Sequence, residues 1–329
     1  MRRCDILSAA AIWVLTVVTA AADVAEVSDQ VIGPAYARFA EEAAALDAAA
    51  RRDCSAEALR TPYQSVWDAW AVVDFFRLGP VEEGGRSLAI SFWPDPKSSG
   101  RRAQQAVADG NAAVIDDPAA FAKLSVAARG LSGLERLIHA PGITGEEDIL
   151  CRMRQATAAD LARMAGGISA EWAAFDAVLK SAGEPENTRY LTPQEARQAV
   201  YTQLVSGLEY LADTRIGRPL GTGEKPRPER AEARAAGRSL RNVVLSLTGI
   251  RDLAMALQPD AEQTRDAFAG TIAMAEELDD PVFAGVATPA GQEALVALQR
   301  SVRATKRVVE TEIGLPLGLG VGFNSRDGD

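Results

Sequence analysis

The stretch AARGLSGLERLIHA, residues 127–140, decides how the rest of the chain is read. It is an apolar run of helix-forming residues that holds the chain's one histidine, His139, a helical turn after Glu135. The Pro-Gly pair at 141 and 142 closes that helix. On one helix face Glu135 and His139 stand four residues apart, with Ser132 a turn earlier. A carboxylate and an imidazole so placed are candidates for one metal ion or one proton-linked ligand. The same residues are also accounted for by an intrahelical Glu–His pair whose imidazole meets the negative end of the helix dipole.

Working outward, the chain reads as helix almost throughout. A first helix is expected over 29–52 and a second over 56–76, capped by Ser55, with Trp67 and Trp70 at core spacing. Leu-Gly-Pro at 78–80 stops it, and the prolines at 94 and 96 make SFWPDP, residues 91–96, a loop. Trp93 there either covers a ligand or plugs the end of a bundle. Helix resumes over 101–115, again from 119 to 139, and then as one long helix over 146–180 that Gly166 and Gly167 interrupt. The polar GEPEN segment at 183–187 is a natural boundary. Beyond it Thr192, Pro193 and Glu195 form a helix start, and further helices are expected over 229–257, 260–278 and 289–313. SGLE occurs twice, at 132–135 and 206–209, each time within an expected helix. The fold expected is therefore all-α: two related antiparallel bundles, 23–185 and 186–329, with duplication and chance recurrence both accounting for the repeat.

Composition narrows the function. With a net charge of −10 the chain lacks the basic face that a nucleic-acid partner requires. Residues 1–22 carry two arginines, an apolar core and a closing run of alanines, the pattern of a secretory signal peptide cut near Ala22, with an uncleaved membrane anchor as the alternative. Its removal takes Cys4 away and leaves Cys54 and Cys151, for which one disulfide in an oxidising compartment is the economical reading. A soluble exported protein is expected. No glycine-rich loop follows a strand, the paired Glu-x-x-His motifs of di-iron bundles are absent, and one histidine cannot supply a zinc-protease signature.

Five segments together carry a resemblance: ARGLSGLERLI at 128–138, FWPDP at 92–96, RLGP at 77–80, CRMRQA at 151–156 and the ending GFNSRDGD at 322–329. They resemble the imelysin-like proteins of bacterial periplasms, over nearly all of the mature chain, and most of all the branch described as periplasmic lipoproteins, although a lipidation cysteine is missing here. The resemblance implies two related helical bundles. Imelysins proper are marked by Gly-x-His-x-x-Glu, which maps onto Gly130, Ser132 and Glu135, so that a serine stands at the histidine position. His139 lies outside the motif. The family was first classed as metallopeptidases, while related periplasmic proteins belong to ferrous-iron uptake systems or are iron-regulated. Serine is a poor metal ligand, so the resemblance implies a non-enzymatic periplasmic binding protein that handles iron, another divalent cation or an iron-linked small ligand. Gly130, Ser132 and Glu135 are its ligand positions, Glu135 and His139 its candidate metal ligands, and an envelope or iron-uptake protein its candidate partner. Two alternatives are a metallopeptidase relative with residual hydrolysis and a non-catalytic envelope interaction protein.

Overall fold

A computed structural model of the chain describes residues 24–110, 112–139, 142–222 and 224–320. The expected signal peptide and the GFNSRDGD ending lie outside them. Regular structure among the described residues is helical, without strands. Nine principal helices carry the fold: α1 (Gly33–Arg52), α2 (Ala56–Ala71), α3 (Ser99–Gly110), α4 (Gly130–Ile138), α5 (Glu147–Lys180), α6 (Pro193–Glu209), α7 (Ser239–Leu257), α8 (Glu262–Glu276) and α9 (Pro289–Val309). No described helix is long and apolar enough to cross a membrane.

The N-terminal half is built on the packing of α1 against α5. On α1 the buried residues Tyr36, Phe39, Ala43, Leu46 and Ala50 alternate by three and four. On α5 Leu161, Ala165, Ile168, Trp172, Phe175 and Leu179 do the same. Two such stripes interlock as in a coiled coil, the geometry of antiparallel bundles. At about 1.5 Å per residue α5 is roughly 50 Å long, enough to span the half. It runs without a break through Gly166 and Gly167, contrary to expectation, because its continuous buried stripe outweighs the roughly 1 kcal/mol that each helical glycine costs.

Local sequence fixes the ends. The Ser55 hydroxyl accepts the Ala58 N–H at 3.3 Å, Asp117 caps the turn that starts at Pro118, and the Thr192 hydroxyl accepts the Glu195 N–H at 3.2 Å. The α2 helix stops at Ala71 rather than at residue 76 because α7 crosses there. Ser246 donates to the Ala71 carbonyl at 2.8 Å, and Gly249 approaches so closely that a Cβ on it would lie 1.7 Å from the Val72 carbonyl oxygen. The disulfide forms as expected, Cys54 to Cys151, tying the start of α2 to the first turns of α5.

In the C-terminal half α7, α8 and α9 pack in sequence and α6 closes against α7 and α9. One apolar core runs through both halves, from Tyr36 and Trp70 to Leu247 and Leu298, with a small satellite around Leu137 and Met153. A buried polar network crosses the junction. Arg215 pairs with Asp74 from the N-terminal half and donates its Nε–H to Glu232 at 2.8 Å, while Asn242 donates to Glu232 at 2.8 Å. Arg238, 1% exposed, donates to Asp68 of α2 at 2.8 Å.

Two departures from expectation shape the site. The helix expected from 119 breaks into short turns and restarts at Gly130, while the one expected from Glu229 starts ten residues later, at Ser239. Residues 231–238 instead form an irregular wall with left-handed backbone at Ala233 and Gly237.

Candidate functional site

The site begins with Gly130, the first residue of α4. Its φ of +60° is a left-handed conformation, and a Cβ there would lie 2.1 Å from the Ala89 carbonyl oxygen. Only glycine lets α4 start against that backbone. The helix then carries Ser132 and Glu135 to one side of a cleft of about 460 Å³. The opposite sides are Phe92 to Pro96 and the irregular wall from Glu229 to Ala235, with Trp67 also lining it.

Glu135 reaches across the cleft and accepts the Ala236 N–H at 3.1 Å, with a second bond from the Ala235 amide. Burial holds its carboxyl above the usual carboxylate range, opposed by these amides and by the Arg136 charge. The Ala236 carbonyl accepts from the Gln64 side chain at 3.0 Å, so both sides of this one stretch of backbone are held by the N-terminal half. At 235 and 236 the wall's backbone groups thus find partners across the cleft in place of a helical ladder, while Gly237 and Arg238 bond locally to Arg234 and Ala233. Beneath Glu135, Trp67 donates to the Tyr63 hydroxyl at 2.8 Å, which in turn donates to the Leu131 carbonyl at 3.3 Å.

Glu135 and His139 do not form the expected pair. The helix ends at Ile138, and His139 takes an extended backbone, φ −112° and ψ 133°. Its ring turns to Tyr63, 5.6 Å away between centroids, and neither a hydrogen bond nor an ion pair joins it to Glu135. Burial, and then the Arg60 charge, lowers its pKa and favours the neutral imidazole. Ser132, Glu135 and His139 all line the one cleft nonetheless. Among the described residues no group of three or more His, Cys, Asp or Glu side chains is arranged to hold a metal ion.

The sequence reading passed over the cleft's arginines, Arg136, Arg218, Arg230 and Arg234, and its wall. Gly237 was the available signal against a continuous helix there. Trp93 proves to be a cleft residue, edge-on to Tyr210 at 6.5 Å and faced by the Arg218 guanidinium at 5.9 Å. The second SGLE lines a different cleft: Ser206, Gly207 and Glu209 border one of about 540 Å³ with Asp74, Arg77 and Tyr210. Glu209 is engaged there by Lys306 at 2.8 Å.

Comparison with known proteins agrees with the architecture. The chain is 24% identical to iron-regulated protein A of Synechococcus elongatus over 322 residues, covering 88% of this chain and 84% of that one. Its fold is similar to the crystal structure of an imelysin-like protein from Psychrobacter arcticum, with a TM-score of 0.74 at 20% identity over 91% of this chain and 95% of the other. It is also similar to the structure of a protein from Parabacteroides distasonis described as an iron-regulated protein A precursor, with a TM-score of 0.67 at 12% identity over 88% and 93% of the two chains. The imelysin sequence profile, classed under peptidase M75, matches residues 32–309. This chain belongs to the imelysin family.

Proposed function

We propose that this is an exported, periplasmic binding protein that holds an iron-linked small ligand in the cleft between α4 and the 229–238 wall, without catalysing its turnover. The observation that carries the reading is Glu135, a motif carboxylate on a left-handed glycine start, facing an aromatic-walled cleft at the junction of the two halves. Relatives named as iron-regulated proteins support the link to iron, and the description of one as a precursor supports export.

The donor set does not fit a resident metal ion. Ser132 replaces the motif histidine, Glu135 is engaged by backbone amides, and the His139 ring packs on Tyr63. A hydrolytic zinc centre needs three protein ligands with an open position, so peptidase chemistry has little to stand on here. Iron is therefore read as cargo. Calorimetric titration of the mature protein with ferrous chloride and with ferric chelates tests this: binding of at least one is expected, weakened tenfold or more in Glu135→Ala. A heat-silent wild type, or an unchanged Glu135→Ala variant, removes the reading.

A further inference from the structure

We infer that the cleft takes its iron as an anionic polycarboxylate chelate, gripped by Arg218, Arg230 and Arg234 beside Trp93. The inference rests on the binding reading above and names the chemistry of its ligand.

The charges in the cleft divide unequally. Three of its four carboxylates are held within the protein, and the fourth, Glu229, is exposed at the rim. Asp95 accepts the Ser99 and Gly100 amides at 2.8 Å each and the Ser99 hydroxyl at 2.8 Å. Glu135 accepts the Ala236 amide, Glu229 stands 3.8 Å from Arg227, and Glu232 is paired with Arg215 and Asn242. Arg136 is likewise used, donating its Nε–H to Gln104 at 2.6 Å. By contrast the guanidinium groups of Arg218, Arg230 and Arg234 make no hydrogen bond or ion pair among the described residues, and Arg218 lies over the Trp93 ring. This occurs in a chain with 45 acidic and 35 basic residues, where partners for an arginine are in excess.

At Arg218 burial makes the missing partner costly, whereas Arg230 and Arg234 are exposed. The Nε of Arg218 is buried without a partner, and so is the Nε2 of His139 on the same cleft. A buried donor left unsatisfied costs about 1–3 kcal/mol, which a ligand oxygen recovers. Planar guanidinium forks match carboxylates two bonds at a time, and the Trp93 face holds one fork in place. A bare cation meets the opposite situation: three unpaired positive groups, and Glu229 at the rim as the one loosely held carboxylate. A cleft of about 460 Å³ lies in the range that small-molecule sites occupy.

The test titrates the mature protein with ferric citrate, metal-free citrate, inorganic phosphate and ferrous chloride, in the wild type, Arg234→Ala, Arg218→Ala and Arg218→Lys. Ferric citrate is expected to bind, about tenfold more weakly in each alanine variant, with partial recovery in Arg218→Lys and weakening as salt rises. Arg234 is exposed, so its alanine variant keeps the fold, which a matching melting temperature verifies. Ferrous chloride binding without ferric citrate, or ferric citrate binding unchanged in both alanine variants, overturns the inference and leaves the binding reading standing. Phosphate binding without citrate overturns the polycarboxylate assignment. Citrate binding equally with and without iron upholds the anion site and removes iron from the proposed function, and silence with all four probes removes both.

Discussion

Glu135 is held in a state that opposes its own ionisation. Burial raises its pKa, and the Ala235 and Ala236 amides offset part of that. A carboxyl whose folded pKa is raised adds stability below its unfolded value, about 4.3, and loses it as pH rises through the folded pKa. Glu135→Gln keeps an oxygen to accept the Ala236 N–H and removes the charge. It should therefore melt higher than the wild type at pH 7, on the order of 1–3 °C for a chain of this size, with no gain near pH 4. Thermal melts at the two pH values check this, and a gain of equal size at both would count against the burial argument. Such a residue, stabilising only when neutralised, is of the kind that binding sites retain at some expense in stability.

At the scale of elements, what could be read in advance was whatever depends on neighbours in sequence. The core tryptophans of α2, the caps at Ser55 and Thr192 and the long helix starting near Glu147 follow from spacing and hydroxyl chemistry that act within a few residues. The single disulfide was legible from cysteine arithmetic. It closes a separation of 97 residues, and the double variant Cys54→Ser/Cys151→Ser should lose up to about 4–5 kcal/mol in urea unfolding, an upper figure because residual unfolded structure reduces it. A loss below about 1 kcal/mol would show that α2 and α5 hold their register without the bridge. The wall at 231–238 was legible only in the break that Gly237 signals. Its alanines and arginines favour helix locally, and what overrides them is distant in sequence: Glu135 takes the Ala236 N–H, and Gln64 donates to its carbonyl. On α4, Ser132 and Glu135 line one cleft and Gly130 starts the helix that carries them. The rest of the site, Trp93 and the arginines, is assembled only by the fold.

For the molecule as a whole, the cleft is lined by residues between 67 and 139 on one side and between 218 and 235 on the other, and the junction of these stretches is polar. Arg215 is the centre of that junction, 3% exposed between Asp74 and Glu232. Its removal leaves two buried carboxylates without a counter-charge, so Arg215→Met should cost about 3–5 kcal/mol and loosen the 231–238 wall, which Glu232 anchors. Denaturant unfolding measures the cost, and hydrogen exchange at Ala235 and Ala236 reports the loosening; full stability in the variant would mean that the apolar core alone joins the halves. The central claim, that an iron-linked ligand lies in the cleft at this junction, is tested most directly by anomalous diffraction at the iron edge from crystals soaked in ferric citrate. The account predicts one iron peak inside the cleft bounded by Glu135, Trp93 and Arg218, absent from crystals of the Arg218→Ala variant. A cleft without iron in the wild type, or iron bound only on the outer surface, would contradict it.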